Sequence, residues 1–224
     1  MIKNISNLGD AALYCDFGTE VNKETNSKVI KYFRNIKKKD IHGIINLTPS
    51  YNKLIISFDL KITNFKAIKE VIENLDINEG FQEVSKKIEI PVCCEESLSL
   101  DIERLEKKLS LKRDEIYQNF FNREYFCYMT GFIAGMPFLG DLDKTMRVDR
   151  LETPRVKVPK GSVGLTEQFA NVYTFESPGG WNIIGNTPIK IFDNSKDKNP
   201  NLVSPGDTVI FNQISFKDYR NYNE

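Results

Sequence analysis

The stretch GSVGLTEQFANVYTFESPGGWNIIG, residues 161–185, decides the fold. Short apolar pieces such as residues 163–165 and 181–184 are separated there by turn residues, above all Pro178-Gly179-Gly180. The same glycine- and proline-rich pattern extends from Glu124 to the end of the chain, where helical periodicity is weak. Many short strands between frequent turns predict a closed or nearly closed β-barrel.

Upstream of that pattern the sequence alternates between strand and helix signals. Leu13, Cys15 and Phe17 recur at every second position, which is typical of a half-buried strand. The predicted elements are a strand at 11–17, a helix at 22–38, strands at 44–47 and 53–58, a helix at 65–75 and a closing strand at 87–92. This β-α-β-β-α-β order favours a ferredoxin-like sandwich, or another α+β arrangement with the same order. We therefore predict an α+β N-terminal domain at residues 1–89 and a β-barrel domain with two leading helices at residues 90–224.

Composition excludes several classes of function. Lys+Arg and Asp+Glu both number 31, so the chain lacks the basic excess of proteins that bind nucleic acid or anionic membranes. No window approaches the ~20 apolar residues of a membrane span, and the N-terminus lacks the apolar core of a signal peptide. We therefore expect a cytoplasmic protein. The cysteines form no C-x-x-C pair and His42 is the only histidine, so we expect no metal site.

The second half of the chain contains a series of short segments in a fixed order. They are GFIAGMPFLG (131–140), TPR (153–155), VPKGSVG (158–164), SPGGW (177–181), IGNTP (184–188) and PGDTV (205–209). In order and spacing these segments resemble the family of the B subunit of the bacterial 5-oxoprolinase complex, also called allophanate hydrolase subunit 1 or carboxyltransferase subunit. The first half agrees more loosely, through GDAAL (9–13) and IPVC (90–93).

This resemblance implies both a fold and a set of partners. It implies a cyclophilin-like β-barrel after the N-terminal α+β domain. Family members act with 5-oxoprolinase subunits C and A in a complex that uses ATP to open the lactam of 5-oxoproline, a small-molecule substrate, and so gives glutamate. Fused relatives form the carboxyl-transferring part of urea carboxylase, and another relative inhibits a sporulation histidine kinase.

Two arginines between glycine-rich segments are candidate ligands of the substrate anion. A guanidinium can hold a carboxylate through two parallel hydrogen bonds, which suits Arg150 and Arg155 to a substrate carboxylate or a carboxylated intermediate. Together with Arg147 and Lys157 they form a cationic strip, and the alternative is that this strip is solvated or faces another subunit.

Four further residues are candidates for the rest of a substrate pocket. The turn at Gly161 and Ser162 could donate backbone hydrogen bonds to an anion, or it could be an ordinary turn. Tyr173 and Trp181 could wall the pocket, although Trp181 could equally be a core or rim aromatic of the barrel.

The chain contains no recognisable catalytic set. It has no Ser-His-Asp arrangement and no G-x-x-x-x-G-K-[ST] loop, so the catalytic residues stay unassigned and we expect ATP to bind elsewhere in the complex. A subunit of such a complex should expose an apolar patch for its partner, and we expect this patch to include Phe132 or Phe138.

Three positions that are usually polar in the family are apolar here, and Ala134 and Asp149 stand where the family has proline. Spacing puts Phe120 where the family has a histidine, and Phe169 and Ala170 where it has glutamine and threonine. Gln168 could replace the glutamine by a one-residue shift, but such a shift reverses the face of a strand. Nothing near Phe120 restores the lost proton donor and acceptor, so Phe120→His is the predicted rescue variant should the wild-type complex show no turnover.

These departures leave three functional hypotheses. The leading one is a subunit of the 5-oxoprolinase complex. The second is a regulatory binding protein resembling the sporulation histidine kinase inhibitor. The third is a diverged carboxyltransferase-type subunit that acts on another amide or urea-like substrate. A prolyl isomerase would rest on fold analogy alone.

Overall fold

The computed structural model of the chain describes residues 1–77 and 85–222. It contains two compact units, Met1–Val84 and Ser85–Glu224, each with its own hydrophobic core. The predicted boundary at Glu89 lies inside a strand of the second unit, so the division falls earlier than the sequence pattern indicated. The predicted connection at residues 79–82 lies outside the described residues.

The first unit is a four-stranded antiparallel sheet that shares its core with two helices. Its elements are β1 (Asn4–Asn7), β2 (Ala12–Asp16), α1 (Lys23–Lys39), β3 (Ile44–Pro49), β4 (Lys53–Phe58) and α2 (Phe65–Glu73). The strand order is β1-β2-β4-β3. The predicted alternation of Leu13, Cys15 and Phe17 is confirmed, because all three side chains are buried in this core. Helix α1 begins at Asn22, whose side chain accepts a hydrogen bond from the Thr25 N–H.

The element order of this unit differs from the predicted ferredoxin-like order at two points. Strand β1 precedes β2 and pairs with it, but its sequence NISN carries a single apolar residue and therefore shows no alternation. The predicted closing strand, β5 (Lys87–Cys93), lies in the second unit, where it runs parallel to β13 (Thr208–Ile214). The first unit is thus β-β-α-β-β-α. Alternating apolar residues identify a strand but do not say which sheet it joins.

The second unit is a closed seven-stranded β-barrel, which confirms the barrel predicted from the glycine- and proline-rich half. Its other strands are β6 (Glu124–Thr130), β7 (Pro137–Gly140), β9 (Ser162–Thr166), β10 (Phe169–Val172) and β12 (Asn182–Asn186). The closed order is β10-β7-β6-β13-β5-β12-β9. Strands β8 (Arg155–Val158) and β11 (Ser177–Gly179) form a separate two-stranded sheet. The cyclophilin-like assignment of the barrel stays a prediction.

Among the described residues of the barrel unit there are three α-helices and two short 3-10 helices, Glu96–Leu98 and Lys144–Met146. The two predicted leading helices are α3 (Ile102–Leu109) and α4 (Arg113–Phe121), and α5 (Phe216–Asn221) follows the last strand. Leu105 of α3 and Ile116 of α4 are fully buried in the barrel core. Within residues 1–77 and 85–222, no helix combines the length and apolarity needed to cross a membrane.

Candidate functional site

Four neighbouring barrel strands present one row of residues on the outer face. The strand register aligns Phe138 of β7 with Asn171 of β10, Asn171 with Gly164 of β9, and Gly164 with Ile183 of β12. The residues that follow them in sequence on β7 and β9, Leu139 and Leu165, lie in the barrel core. Because side chains alternate along a strand, this row faces outward.

Trp181 covers this outer row. A Cβ atom on Gly164 would lie 3.1 Å from the Cβ of Trp181, so glycine at this position lets the indole approach the sheet. The Phe138 ring meets the indole edge to face, with 5.5 Å between the ring centroids. Trp181 is only 8% exposed, which fits a core or rim aromatic of the barrel more closely than an open wall of a pocket.

Tyr173 is buried beneath the SPGGW segment. Its hydroxyl fills the space that a side chain on Gly179 would occupy, so the glycine permits this close approach. Burial raises the pKa of Tyr173, while hydrogen bonds from the Asn171 side chain and the Trp181 backbone N–H, with the charges of Arg150 and Arg155 nearby, oppose the rise. Tyr173 is therefore a neutral, 1% exposed support for Trp181 rather than an open wall of a pocket.

Arg150 lies over the glycine pair of the same segment. A Cβ atom on Gly180 would lie 3.4 Å from Nε and 3.5 Å from Nη2 of this arginine. The Leu151 N–H donates to the Gly180 carbonyl at 2.7 Å, which ties the arginine's segment to SPGGW. Arg150 is exposed, and no carboxylate of the described residues forms an ion pair with it. Its guanidinium is thus available to an anion.

Arg155, the second predicted anion ligand, already holds a carboxylate of its own chain. Its Nη2 and Nη1 donate to the two oxygens of Asp101 at 2.7 and 2.9 Å. Asp101 is 5% exposed and also accepts the Ile183 N–H at 2.7 Å. This two-pronged pair joins β8, the start of α3 and β12, and it leaves Arg155 little charge for a substrate.

The turn at Gly161 and Ser162 is also satisfied internally. The Gly161 N–H donates to the Tyr173 carbonyl at 2.7 Å, and the Ser162 N–H donates to the Pro159 carbonyl at 3.2 Å. Ser162 is 2% exposed. These contacts fit the ordinary-turn interpretation, because neither amide proton is left for a bound anion.

The three apolar residues at positions that are usually polar in the family all pack against other apolar or aromatic side chains. Phe120 lies inside the barrel, with its ring centroid 5.0 Å from Phe211 and 5.3 Å from Tyr125. Ala170 faces the same core, and Phe169 packs edge-on against Tyr128 outside it. The surroundings of Phe120 are apolar and aromatic, which disfavours the imidazole that the predicted Phe120→His rescue would introduce.

Gln168 does not replace a strand residue by a one-residue shift. It lies in the turn between β9 and β10, and its side-chain amide donates to Asp141 at 3.4 Å. No group of three or more histidine, cysteine, aspartate or glutamate side chains that could hold a metal ion occurs in the described parts of the chain.

Three polar residues of this site were missed by the sequence analysis. Asp101, Asn171 and Asn182 are all at most 5% exposed. Asp101 and Asn182 are hydrogen-bonded to residues 54 and 17 positions away, and Asn171 accepts the Gly164 N–H of the neighbouring strand. None belongs to a recognisable motif, so the sequence offered no signal beyond polar residues flanked by apolar ones.

An exposed aromatic lies in the loop between β6 and β7. Phe132 is 68% exposed and has a φ of 70°, a left-handed conformation that non-glycine residues rarely adopt. The loop is closed by hydrogen bonds from the Gly131 N–H to the Met136 carbonyl at 3.0 Å and from the Thr174 hydroxyl to the Ala134 carbonyl at 2.7 Å. These hydrogen bonds hold the loop in a conformation that leaves the Phe132 ring exposed to solvent.

Comparison with known proteins places the chain in a family. The carboxyltransferase domain, subdomain C and D, matches residues 3–203, and the chain belongs to this family. Among its curated relatives is the 5-oxoprolinase B subunit of Bacillus subtilis, 33% identical over 98% of this chain and 96% of the relative. Urea amidolyase of Saccharomyces cerevisiae is 22% identical over 94% of this chain, which corresponds to 13% of that protein.

Solved structures agree with the fold. The crystal structure of TTHA0988 superposes with a TM-score of 0.82 at 25% identity. The match covers 92% of this chain but 40% of that one, so the chain spans about two fifths of its structural relative.

Proposed function

We propose that this protein is part of an ATP-dependent 5-oxoprolinase complex and acts with subunits A and C. The observation that carries the proposal is the similarity to the 5-oxoprolinase B subunit over nearly the whole length of both chains. The complex opens the lactam of 5-oxoproline to glutamate in the cytoplasm. ATP binds elsewhere in the complex, because this chain lacks a phosphate-binding loop.

In this proposal Arg150 holds the carboxylate of 5-oxoproline or of its activated form. Among the six candidate ligands it is the one whose charged group is exposed and unpaired within the described residues. Trp181 and Phe138 form the apolar edge beside it, and the Tyr173 hydroxyl holds the backbone of the Trp181 segment through a hydrogen bond. Arg155, Gly161 and Ser162 hold the surrounding segments in place through their internal hydrogen bonds.

Reconstitution tests the function directly. The chain is co-expressed with its cognate subunits A and C, the complex is isolated by gel filtration, and ATP-dependent glutamate formation from 5-oxoproline is measured. We expect a stable complex with turnover that requires all three proteins. A chain that stays monomeric beside the cognate C subunit would contradict the proposal.

A second candidate is a carboxyltransferase-type subunit that acts on another amide or urea-like substrate. The match to urea amidolyase and the carboxyltransferase family itself favour it. Offering the reconstituted complex urea, simple amides and 5-oxoproline in parallel separates the two candidates. A complex that forms but turns over none of these compounds favours the regulatory alternative.

A further inference from the structure

Asn182 ties together the two segments that carry Trp181 and Arg150. Its side chain is fully buried, and its Nδ2 donates to the Asp149 carbonyl at 3.0 Å and to the Leu165 carbonyl at 3.1 Å. Both amide protons are therefore used, each on a different segment of the chain.

The oxygen of the same amide is held by a charged donor. Arg104 of α3 donates from Nη1 to Asn182 Oδ1. Because a guanidinium only donates, this contact orients the amide so that Nδ2 points to the two carbonyls. The orientation of Asn182 is thus set by a helix that lies outside the barrel strands.

Asn182 makes one of two hydrogen bonds that flank Arg150 and hold its segment against the segment of Trp181. The residue before Arg150 offers its carbonyl to Asn182, and the residue after it, Leu151, donates its N–H to the Gly180 carbonyl at 2.7 Å. Gly180 and Asn182 are the two sequence neighbours of Trp181. Arg150 and Trp181 are therefore the central residues of two tripeptides joined at both ends.

We propose that Asn182 is a positioning residue that holds Arg150 and Trp181 in register. The inference rests on the proposed function, because it assigns Asn182 a role through Arg150 rather than a contact with substrate. The isosteric variant Asn182→Asp keeps an acceptor for Arg104 but loses both N–H donors. The segment that carries Arg150 then loses its hydrogen bond at Asp149 and keeps only the one at Leu151.

The first test is a double-mutant cycle in the reconstituted complex. Arg150→Ala lowers kcat/KM for 5-oxoproline by about tenfold or more in the otherwise unaltered protein. In the Asn182→Asp background the same change lowers kcat/KM by about threefold or less, because the guanidinium is already misplaced. The matched control is Asn186→Asp on the same strand, where a buried asparagine donates to the Lys160 carbonyl instead. In that background Arg150→Ala keeps its full effect.

The second test needs no activity. Trp181 is the only tryptophan of the chain, so its fluorescence reports on this segment alone. We expect acrylamide to quench Trp181 more strongly in Asn182→Asp than in the wild type or in Asn186→Asp. If Asn182→Asp does not fold, Arg104→Met removes the orienting donor and should raise quenching in the same direction.

The outcomes separate the two proposals. A wild-type complex without turnover overturns the proposed function, and the quenching comparison then decides the role of Asn182 by itself. Additive losses of kcat/KM in an active complex, or quenching of Trp181 that Asn182→Asp leaves unchanged, overturn the positioning role.

Discussion

Arg155 and Asp101 form a two-pronged ion pair across 54 positions of the sequence, with hydrogen bonds of 2.7 and 2.9 Å. The carboxylate is buried and receives a third hydrogen bond from the Ile183 N–H. The arginine that the sequence offers as a substrate ligand is thus neutralised by its own chain. Within the proposed function the anion-binding role is therefore assigned to Arg150, and we expect Arg155 to be a determinant of stability.

We therefore predict that Arg155→Ala destabilises the isolated protein. Removing one partner leaves Asp101 buried and unpaired, which costs about 2–4 kcal/mol once the partial exposure of Arg155 is allowed for. The free energy of unfolding in urea measures the loss. Lys157→Ala is the matched control on the same strand, because its pair with Glu176 is exposed and is worth about 0–1 kcal/mol. Equal losses in the two variants would contradict a structural role for Arg155.

We predict that Arg150→Ala, in contrast to Arg155→Ala, leaves the stability of the protein almost unchanged and lowers the activity of the complex. Its side chain is exposed, so we expect a change in unfolding free energy within ~0.5 kcal/mol. We expect kcat/KM of the complex to fall about tenfold or more, since an anion loses its paired charge. Arg150→Lys should recover part of the loss, because an ammonium keeps the charge without the planar fork. Arg147→Ala, exposed in the same segment, is the control, and an equal loss there would point to a general effect of positive charge.

Local periodicity was enough to predict the secondary structure around Leu13 and the barrel in the second half. It was not enough to place β5, because the alternation of Ile88, Ile90 and Val92 is the same in either unit. Strand β5 belongs to the second unit because it pairs with β13, more than a hundred positions away in sequence, and only the folded chain shows that pairing.

The site was predicted less completely, for a related physical reason. The sequence analysis named Arg150, Tyr173 and Trp181 as candidates for one substrate pocket, and the structure brings them together around Gly179 and Gly180. Whether a polar group is free or already paired depends on contacts distant in sequence. Such contacts occupy Arg155 and the Gly161 amide, and no local pattern indicates them.

Phe120→His, the rescue predicted from spacing, should destabilise the barrel instead. The ring stacks on Phe211 inside the core, and we expect a loss of about 3 kcal/mol from lost packing and an unpaired imidazole. Burial disfavours the imidazolium, so the pKa of the new histidine in the folded state lies below its unfolded value of about 6.5. The unfolded state then binds more protons, and stability falls further as pH drops below about 6.5.

Urea unfolding of Phe120→His at pH 8 and pH 5.5 measures both effects. Phe120→Leu is the control, because it also loses the aromatic ring but adds no titrating group, so its loss should not grow at low pH. A gain of turnover in Phe120→His would restore the spacing-based prediction.

Gly179→Ala should displace Tyr173. The added methyl group would overlap the tyrosine hydroxyl, and overpacking of this kind typically costs about 1–3 kcal/mol. Tyr173→Phe removes the closest clashing atom but leaves the ring carbons Cζ and Cε1 at 2.8 and 2.9 Å from the added methyl group. The clash is relieved in part, so the double variant should be more stable than the sum of the two single losses predicts. A double-mutant cycle on urea unfolding measures the coupling, and strictly additive losses would show that the two residues do not meet.

Phe132→Gly should have opposite effects on the isolated protein and on the complex. Phe132 adopts a left-handed backbone that costs a non-glycine residue about 1–2 kcal/mol, and its 68% exposed ring contributes little to the core. Glycine removes that strain, and after its larger entropy cost we expect a net gain of a few tenths to about 1 kcal/mol in unfolding free energy. The same change deletes an aromatic side chain of the apolar patch expected to contact a partner subunit. If Phe132 contacts the C subunit, the dissociation constant of that complex, measured by titration calorimetry, should rise about tenfold or more. Phe132→Asn is the control, because asparagine tolerates the left-handed backbone but also lacks the ring, and it should weaken the complex equally. An unchanged dissociation constant in both variants would remove Phe132 from the interface and leave its exposed, strained conformation without a role in assembly.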